Sequence, residues 1–267
     1  MHLVLTPLPR SRQPVLLITD PWFYALAVPA ILVTGISKGG FASGGGNLSV
    51  PAMALLVPAP QAAAISLPVL CAMDIAGLRA WWGRWSLREM RAILPGGLLG
   101  IALGSLAFGL MSDRMTKLMV GVIALAFLAR NLWQARHGKP PPPAAPNRLK
   151  GGFWSTVSGF TSTIAHAGGP PLAVYLYPLR LERAQLAATT VVFFGVVNYV
   201  KLVPYAALGQ LSLGNLLTSL VLLPLAPVGV RLGVWLQGRI SDKVFYRVIH
   251  VLLAATGIKL VADGLGL

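Results

Sequence analysis

Residues 37–55 read SKGGFASGGGNLSVPAMAL and residues 159–176 read GFTSTIAHAGGPPLAVYL. Each is an apolar stretch interrupted by adjacent glycines, and the length of chain beyond the interruption decides the fold. The first break lies within an apolar region covering 22–57, the second within one covering 151–178. The arms that follow, 47–57 and 170–178, hold eleven and nine residues. At a helical rise of 1.5 Å per residue they extend about 16 and 14 Å, roughly half of a hydrocarbon core. Such arms belong to re-entrant hairpins or discontinuous helices, where irregular backbone is buried in protein or lines a cavity.

Six further segments, 62–80, 90–111, 115–134, 184–206, 213–237 and 242–262, are long and apolar enough to cross. With the broken regions they make about 8–10 apolar segments, and the expected fold is an all-α polytopic membrane protein. Composition agrees: of 267 residues 55% are hydrophobic and 11% charged, with a mean hydropathy of +0.72. Soluble domains carry about 25% charged residues, so an ordinary soluble enzyme is excluded. The net charge of +15 would point to nucleic acid in a soluble chain. Here the bases are too sparse and too separated by apolar runs, and no nucleic-acid partner is expected. The single cysteine, Cys71, excludes a disulfide framework, a cysteine zinc site and a CxxC redox pair.

The proline-rich stretch 136–150 divides the chain, and the two sides repeat. At an offset of 124, Gly35 matches Gly159, Gly44 and Gly45 match Gly168 and Gly169, Gln61 matches Gln185, and Asp74 meets Asn198. At 129, Gly100 matches Gly229, Leu103-Gly104 match Leu232-Gly233, and Ser112-Asp113 match Ser241-Asp242. The expected organisation is a first transmembrane repeat over 22–135, a cytoplasmic linker over 136–150 and a second repeat over 151–263. Each repeat would hold three full spans plus a glycine-broken helix or re-entrant hairpin.

The cations give the orientation. Fourteen of the 22 Lys and Arg lie in the turns around 79–91, 130–150, 180–183 and 239–247. The opposite ends hold Arg10, Arg12, Arg114, Lys117 and Lys259, and the turns 58–61 and 207–212 hold no base. The positive-inside rule places the first set in the cytoplasm. Corresponding turns of the two halves then fall on opposite sides, so the repeats are expected to be inverted, a plan that recurs in secondary transporters. The N-terminus is placed outside; Asp20-Pro21 interrupts the apolar core that a signal peptide would need. Trp81, Trp82, Trp85 and Trp133 flank basic turns and read as an interfacial belt, with membrane lipid as partner.

Three cations remain inside apolar segments: Lys38, Lys201 and Arg231. At the bilayer centre each costs roughly 2.5–3.5 kcal/mol on insertion scales, so each must face protein, water or a headgroup. Lys38 stands just before the triple glycine and reads either as a snorkelling helix-end lysine or as a substrate-anion contact. Lys201, near the outer end of its span, and Arg231, two turns before Arg239, are placed to reach headgroups; both are also candidates for coupling. Asn47 is a plausible N-cap for a helix at 48–57, and Pro170-Pro171 suit the first turn of a second short helix. If the hairpins enter from opposite sides, two helix N-termini meet near the midplane and form an anion site. Gly44, Gly45, Gly46, Gly168 and Gly169 would allow close approach; small residues also serve tight helix packing, the alternative reading. His166 has Ala42 as its repeat mate, an asymmetry that suits ligand or proton work, although buried histidines also serve as structural donors. Asp74, with Asn198 opposite it, is an acid inside a span, either a packing residue, a proton carrier or a partner for Lys38. Ser43, Ser49, Ser66, Thr161, Ser162, Thr189 and Thr190 could donate to oxyanions or bond their own helix backbone.

No paired carboxylates, HExxH, Walker loop or G-x-S-x-G is present, so no enzyme, no metal site and no cofactor is expected. The stretches SKGGFASGGGNLSVPAMAL and GFTSTIAHAGGPPLAVYL, the latter followed by LAATTVVFF, resemble the TauE/SafE sulfite exporter family of bacterial membrane permeases. The resemblance covers roughly 25–262, and Gly44, Gly45, Gly46, Gly168, Gly169 and Pro170 fall on its motif positions. Lys38 with Gly39-Gly40 departs from it, standing where the family is more apolar. The resemblance implies an inner-membrane secondary transporter, an exporter, of a small sulfur anion such as sulfite or an organosulfonate. The expected mechanism is alternating access around a midplane site, with a proton or cation as coupling partner. A passive anion channel and a non-transporting membrane scaffold are the alternatives. Nothing in the sequence specifies an oligomeric state.

Overall fold

A computed structural model describes residues 17–40, 47–138, 143–236, 239 and 242–267, and among these no strand occurs. The first half consists of α1 (Pro21–Gly40), α2 (Ser49–Met53), α3 (Ala59–Ala80), α4 (Leu87–Leu110) and α5 (Asp113–His137). The second consists of α6 (Arg148–Ala165), α7 (Gly169–Leu176) with a 3-10 turn (Tyr177–Leu179), α8 (Arg183–Ala207), α9 (Leu213–Leu222), α10 (Leu225–Leu236) and α11 (Asp242–Leu265). Side-chain caps start several of them. Ser86 Oγ accepts from Glu89 N at 3.3 Å, Asn147 Oδ1 from Lys150 N at 3.0 Å, and Ser212 Oγ from Asn215 N at 3.4 Å. Each satisfies a donor that the first helical turn leaves free.

Among the described residues seven helical stretches are long and apolar enough to span a bilayer: Pro21–Gly39, Ala59–Arg79, Leu87–Leu110, Asp113–Trp133, Ala184–Ala207, Leu213–Leu236 and Arg247–Leu265. Three features differ from the sequence expectation. The arm before the first glycine break is a helix of 20 residues, so α1 has full spanning length on its own. The helix expected at 48–57 is only α2, because Leu55, Leu56 and Val57 turn back on Ala52 and Met53 before Pro58. The segment 213–237 is two helices, because Pro224 has no N–H to continue the ladder and Leu223 and Ala226 close tighter turns around it.

The helices associate chiefly as four pairs: α4 with α6, α1 with α10, α5 with α11, and α3 with α8. Large apolar residues such as Leu99, Leu106, Val203 and Trp235 point outward, as a lipid-facing surface requires. Lipid tails are as apolar as leucine, so close packing rather than the hydrophobic effect holds such helices together. Glycine supplies it at two crossings. A Cβ on Gly100 would lie 2.1 Å from Thr156 O and 2.9 Å from Gly159 Cα. One on Gly35 would lie 2.9 Å from Gly229 Cα.

Contacts between loops sort the helix ends into two groups. At one end Ala59 N donates to Asp113 Oδ1 at 2.9 Å, Gln61 Nε2 to Asn215 Oδ1 at 3.1 Å, and Ile18 N to Thr218 Oγ1 at 3.3 Å. At the other, Ser86 N donates to Thr189 Oγ1 at 3.0 Å, Ala144 N to Pro178 O at 2.9 Å, and Tyr175 Oη to Glu89 Oε2 at 2.7 Å. The second group lies among the base-rich turns, the first among the base-poor ones.

Candidate substrate-binding site

A chain of buried polar side chains crosses α1, α3, α8 and α6. It begins with Lys38, in the last turn of α1, whose ammonium pairs with the Asp74 carboxylate of α3. Asn198 Nδ2 of α8 donates to the other Asp74 oxygen at 2.5 Å. Both carboxylate oxygens are thereby occupied, and the two formal charges cancel. The Lys38 side chain keeps 27% of its surface while Asp74 keeps 4%, so the pair opens on the α1 side only.

One turn further along the same face of α8 stands Lys201. It is fully buried and turns inward, away from the headgroups that its position near the helix end would let it reach. Its Nζ donates to Ser162 O and Ser162 Oγ, each at 3.0 Å, and lies 2.7 Å from His166 Nδ1. Three donors meet three partners, but among the described residues Lys201 takes part in no ion pair. A buried charge without a counter-charge is costly, and this is the feature of the site that most needs an explanation.

His166 is the C-cap of α6 and adopts a left-handed conformation, with φ 51° and ψ 28°. That turn ends α6 and starts the run into α7; the His166 and Ala167 N–H groups close on Ser162 O and Thr161 O. It also aims the ring across the bundle. Nε2 lies 2.9 Å from Ala63 O of α3, and because a carbonyl only accepts, this nitrogen carries a hydrogen. Tyr205 stacks on the ring at 6.1 Å and donates to Thr163 O at 2.6 Å. One turn along α3 from Ala63, the Ser66 hydroxyl is buried and has no hydrogen-bond partner among the described residues.

Residues that follow the first glycine stretch and residues around the second share a narrow cleft. Asn47 and Pro51 line it from one side, Ala167 and Pro170 from the other, with Val120 and Phe127 of α5 between them. Asn47 Oδ1 accepts from Ser49 N at 2.9 Å, Ser49 Oγ at 2.6 Å and Thr34 Oγ1 at 3.1 Å, while the N-cap position of α2 itself falls to Leu48. Gly44, Gly45 and Gly46 lie outside the described residues. Gly168 is a packing glycine: a Cβ there would lie 2.6 Å from Ser158 O and 2.9 Å from Phe194. Gly169 and Pro170 form the first turn of α7.

The remaining candidates stand apart from these groups. Thr189 secures the turn before α4 through Ser86 and donates to Gln185 O at 2.7 Å. Thr190 is half-buried beside it, and Arg231 is exposed on α10. Sequence reasoning missed one pair, Glu89 in the first turn of α4 with Tyr175 of α7. The acid is expected at a segment end, yet it is buried, and its partner lies 86 positions away. No periodicity joins the two.

Comparison with known proteins bears on this arrangement. The family model described as "Sulfite exporter TauE/SafE" matches residues 27–260. The chain is 30% identical over 198 residues to a protein of Comamonas testosteroni described as "Probable inner membrane transporter protein TsaS", covering 73% of this chain and 80% of that one. No solved structure matches.

Proposed function

The chain belongs to the sulfite exporter TauE/SafE family, and from that premise we propose that it is an inner-membrane exporter of a small sulfur oxyanion or organosulfonate. It works by alternating access around the buried polar chain. The observation that carries the reading is Lys201, fully buried and, among the described residues, in no ion pair with a carboxylate. A substrate anion supplies the missing charge. Lys38 is already neutralised by Asp74 and serves beside the first break to orient the anion or to shape its entry. His166, Gly168, Gly169 and Pro170 border the anion from the second break and Asn47 from the first; Gly44, Gly45 and Gly46, outside the described residues, remain candidates by sequence alone. Asp74, Asn198 and Lys201 form the supporting polar frame.

Alternating access draws its support from the pairing of the helices. Gly35 and Gly159 are repeat mates, and so are Gly100 and Gly229. The observed contacts are Gly35 with Gly229 and Gly159 with Gly100, the same crossing made twice with the mates exchanged. Asp74 and Asn198, mates at offset 124, touch each other, as residues close to a two-fold axis between inverted halves would. Repeats related in this way can exchange their arrangements and so open the site to either side. The grouping of base-rich and base-poor ends supports the orientation, with the second group of turns and the linker in the cytoplasm.

A thermal-shift screen of the purified protein with sulfite, sulfate, thiosulfate, sulfoacetate and taurine tests the binding. The expected result is a higher melting temperature with at least one sulfur oxyanion and a smaller shift in Lys201→Met. A panel in which none of these anions moves the melting temperature contradicts the reading.

A further inference from the structure

We infer that the Lys201–His166 pair couples the anion to a proton, so that each anion crosses with one proton taken up at His166; this rests on the transport reading above. Counting hydrogens leads there. His166 Nε2 must donate to Ala63 O, 2.9 Å away. Between Lys201 Nζ and His166 Nδ1, 2.7 Å apart, one nitrogen donates and the other accepts. The pair therefore holds a single positive charge, whichever nitrogen carries the shared hydrogen. Ser162 O, 3.0 Å from both Nζ and Nδ1, accepts in either case.

A second proton would make both nitrogens donors, break the bond between them and set two cations side by side in a buried site. Among the described residues no carboxylate pairs with Lys201 or His166. α6 presents the Ser162 carbonyl and α3 the Ala63 carbonyl. The Tyr205 hydroxyl of α8 is committed to Thr163 O. Asp74 is held by Lys38 and Asn198, and Cys71, a turn before it on α3, is a buried thiol. Lys38, on α1, adds positive charge that only Asp74 offsets.

An oxyanion removes the conflict. Its oxygens accept from Lys201 and His166 together, and its charge offsets the second proton. The Ser66 hydroxyl, one turn along α3 from the Ala63 carbonyl, is buried and has no partner among the described residues, and an oxyanion would accept from it. Anion and proton then stabilise each other reciprocally. The second proton enters between Lys201 Nζ and His166 Nδ1 from the side where the anion binds and leaves with the anion on the other. For a monoanion the loaded pair carries the same charge as the empty one, so the cycle moves no net charge.

Proteoliposomes holding an internal pH dye test this, with an inward gradient of methanesulfonate, thiosulfate or sulfoacetate, none of which takes up a proton between pH 6 and 8. About one proton is expected to enter with each anion that the protein carries, and His166→Gln is expected to lose at least 10-fold of that acidification relative to anion flux. Anion flux without acidification overturns the coupling and leaves the transport reading standing. Acidification at the same ratio in His166→Gln overturns the assignment to His166. If neither these three anions nor sulfite is carried, the transport reading itself fails. Should His166→Gln not fold, the wild-type ratio still decides.

Discussion

Replacing Gly100 by alanine is the most direct physical probe of the α4–α6 seam. The added methyl would sit 2.1 Å from Thr156 O, 2.8 Å from Phe160 N and 2.9 Å from Gly159 Cα. All three are backbone atoms, which cannot rotate away as a side chain can. Restoring ordinary contact requires the helices to part by about 1 Å, and parting forfeits dispersion along the seam. Overpacking costs typically 1–3 kcal/mol, and a clash with backbone belongs at the upper end. At roughly 2–4 °C per kcal/mol for a chain near this size, Gly100→Ala should melt about 6–12 °C below wild type. Gly152→Ala, on the same pair of helices, is the control. Nothing lies within 4 Å of its added methyl, and helix propensity alone favours alanine by about 1 kcal/mol. Its melting temperature should equal or exceed that of wild type. Both are read by thermal melts in one detergent; a Gly100→Ala protein that melts with wild type refutes the seam as described.

Further expectations follow from the buried polar groups. Lys201→Met should abolish anion transport, since a charge near 4 Å contributes about 4 kcal/mol at an effective dielectric of 20, or roughly a thousandfold in affinity. Its melting temperature should not fall by more than a few degrees, because the variant also removes an unneutralised buried charge; a protein that unfolds would instead mark Lys201 as structural. Asp74→Asn leaves Lys38 without its partner and should cost roughly 2–3 kcal/mol, less than the 3–5 of a fully buried pair because Lys38 is partly exposed; an unchanged melting curve would contradict the ion pair. Tyr175→Phe removes the donor to the buried Glu89 carboxylate and should cost about 1–3 kcal/mol, which Glu89→Gln in the same background should largely restore. For the orientation, Ala145→Cys is expected to label only from the cytoplasmic side and Ala207→Cys only from outside, with the buried Cys71 silent.

What the sequence could reveal depended on whether the signal was local. The spans were legible because crossing a bilayer demands about 20 apolar residues in a row, and the second break because Gly168-Gly169 and Pro170-Pro171 interrupt such a run. The division of 213–237 was also written there, in Pro224, but hydropathy alone passes over it. Contacts between distant segments were a different matter. The expected repeat aligns Asp74 with Asn198, but their touching depends on how the helices pack, which no offset encodes. Lys201 showed the same limit. Its place near the end of an apolar segment favours the headgroups, whereas the acceptors that draw it inward, Ser162 and His166, lie on another helix. Glu89 with Tyr175 had neither a spacing nor a repeat mate to announce it.

Counterflow in proteoliposomes tests the central claim most directly. Vesicles preloaded with unlabelled sulfite or sulfonate receive a trace of the labelled anion outside. A carrier working by alternating access should accumulate label transiently above equilibrium, and the Lys201→Met protein should not. Entry of label at a rate that the internal anion does not change would mark a pore, and no entry at all would contradict an anion site at Lys201.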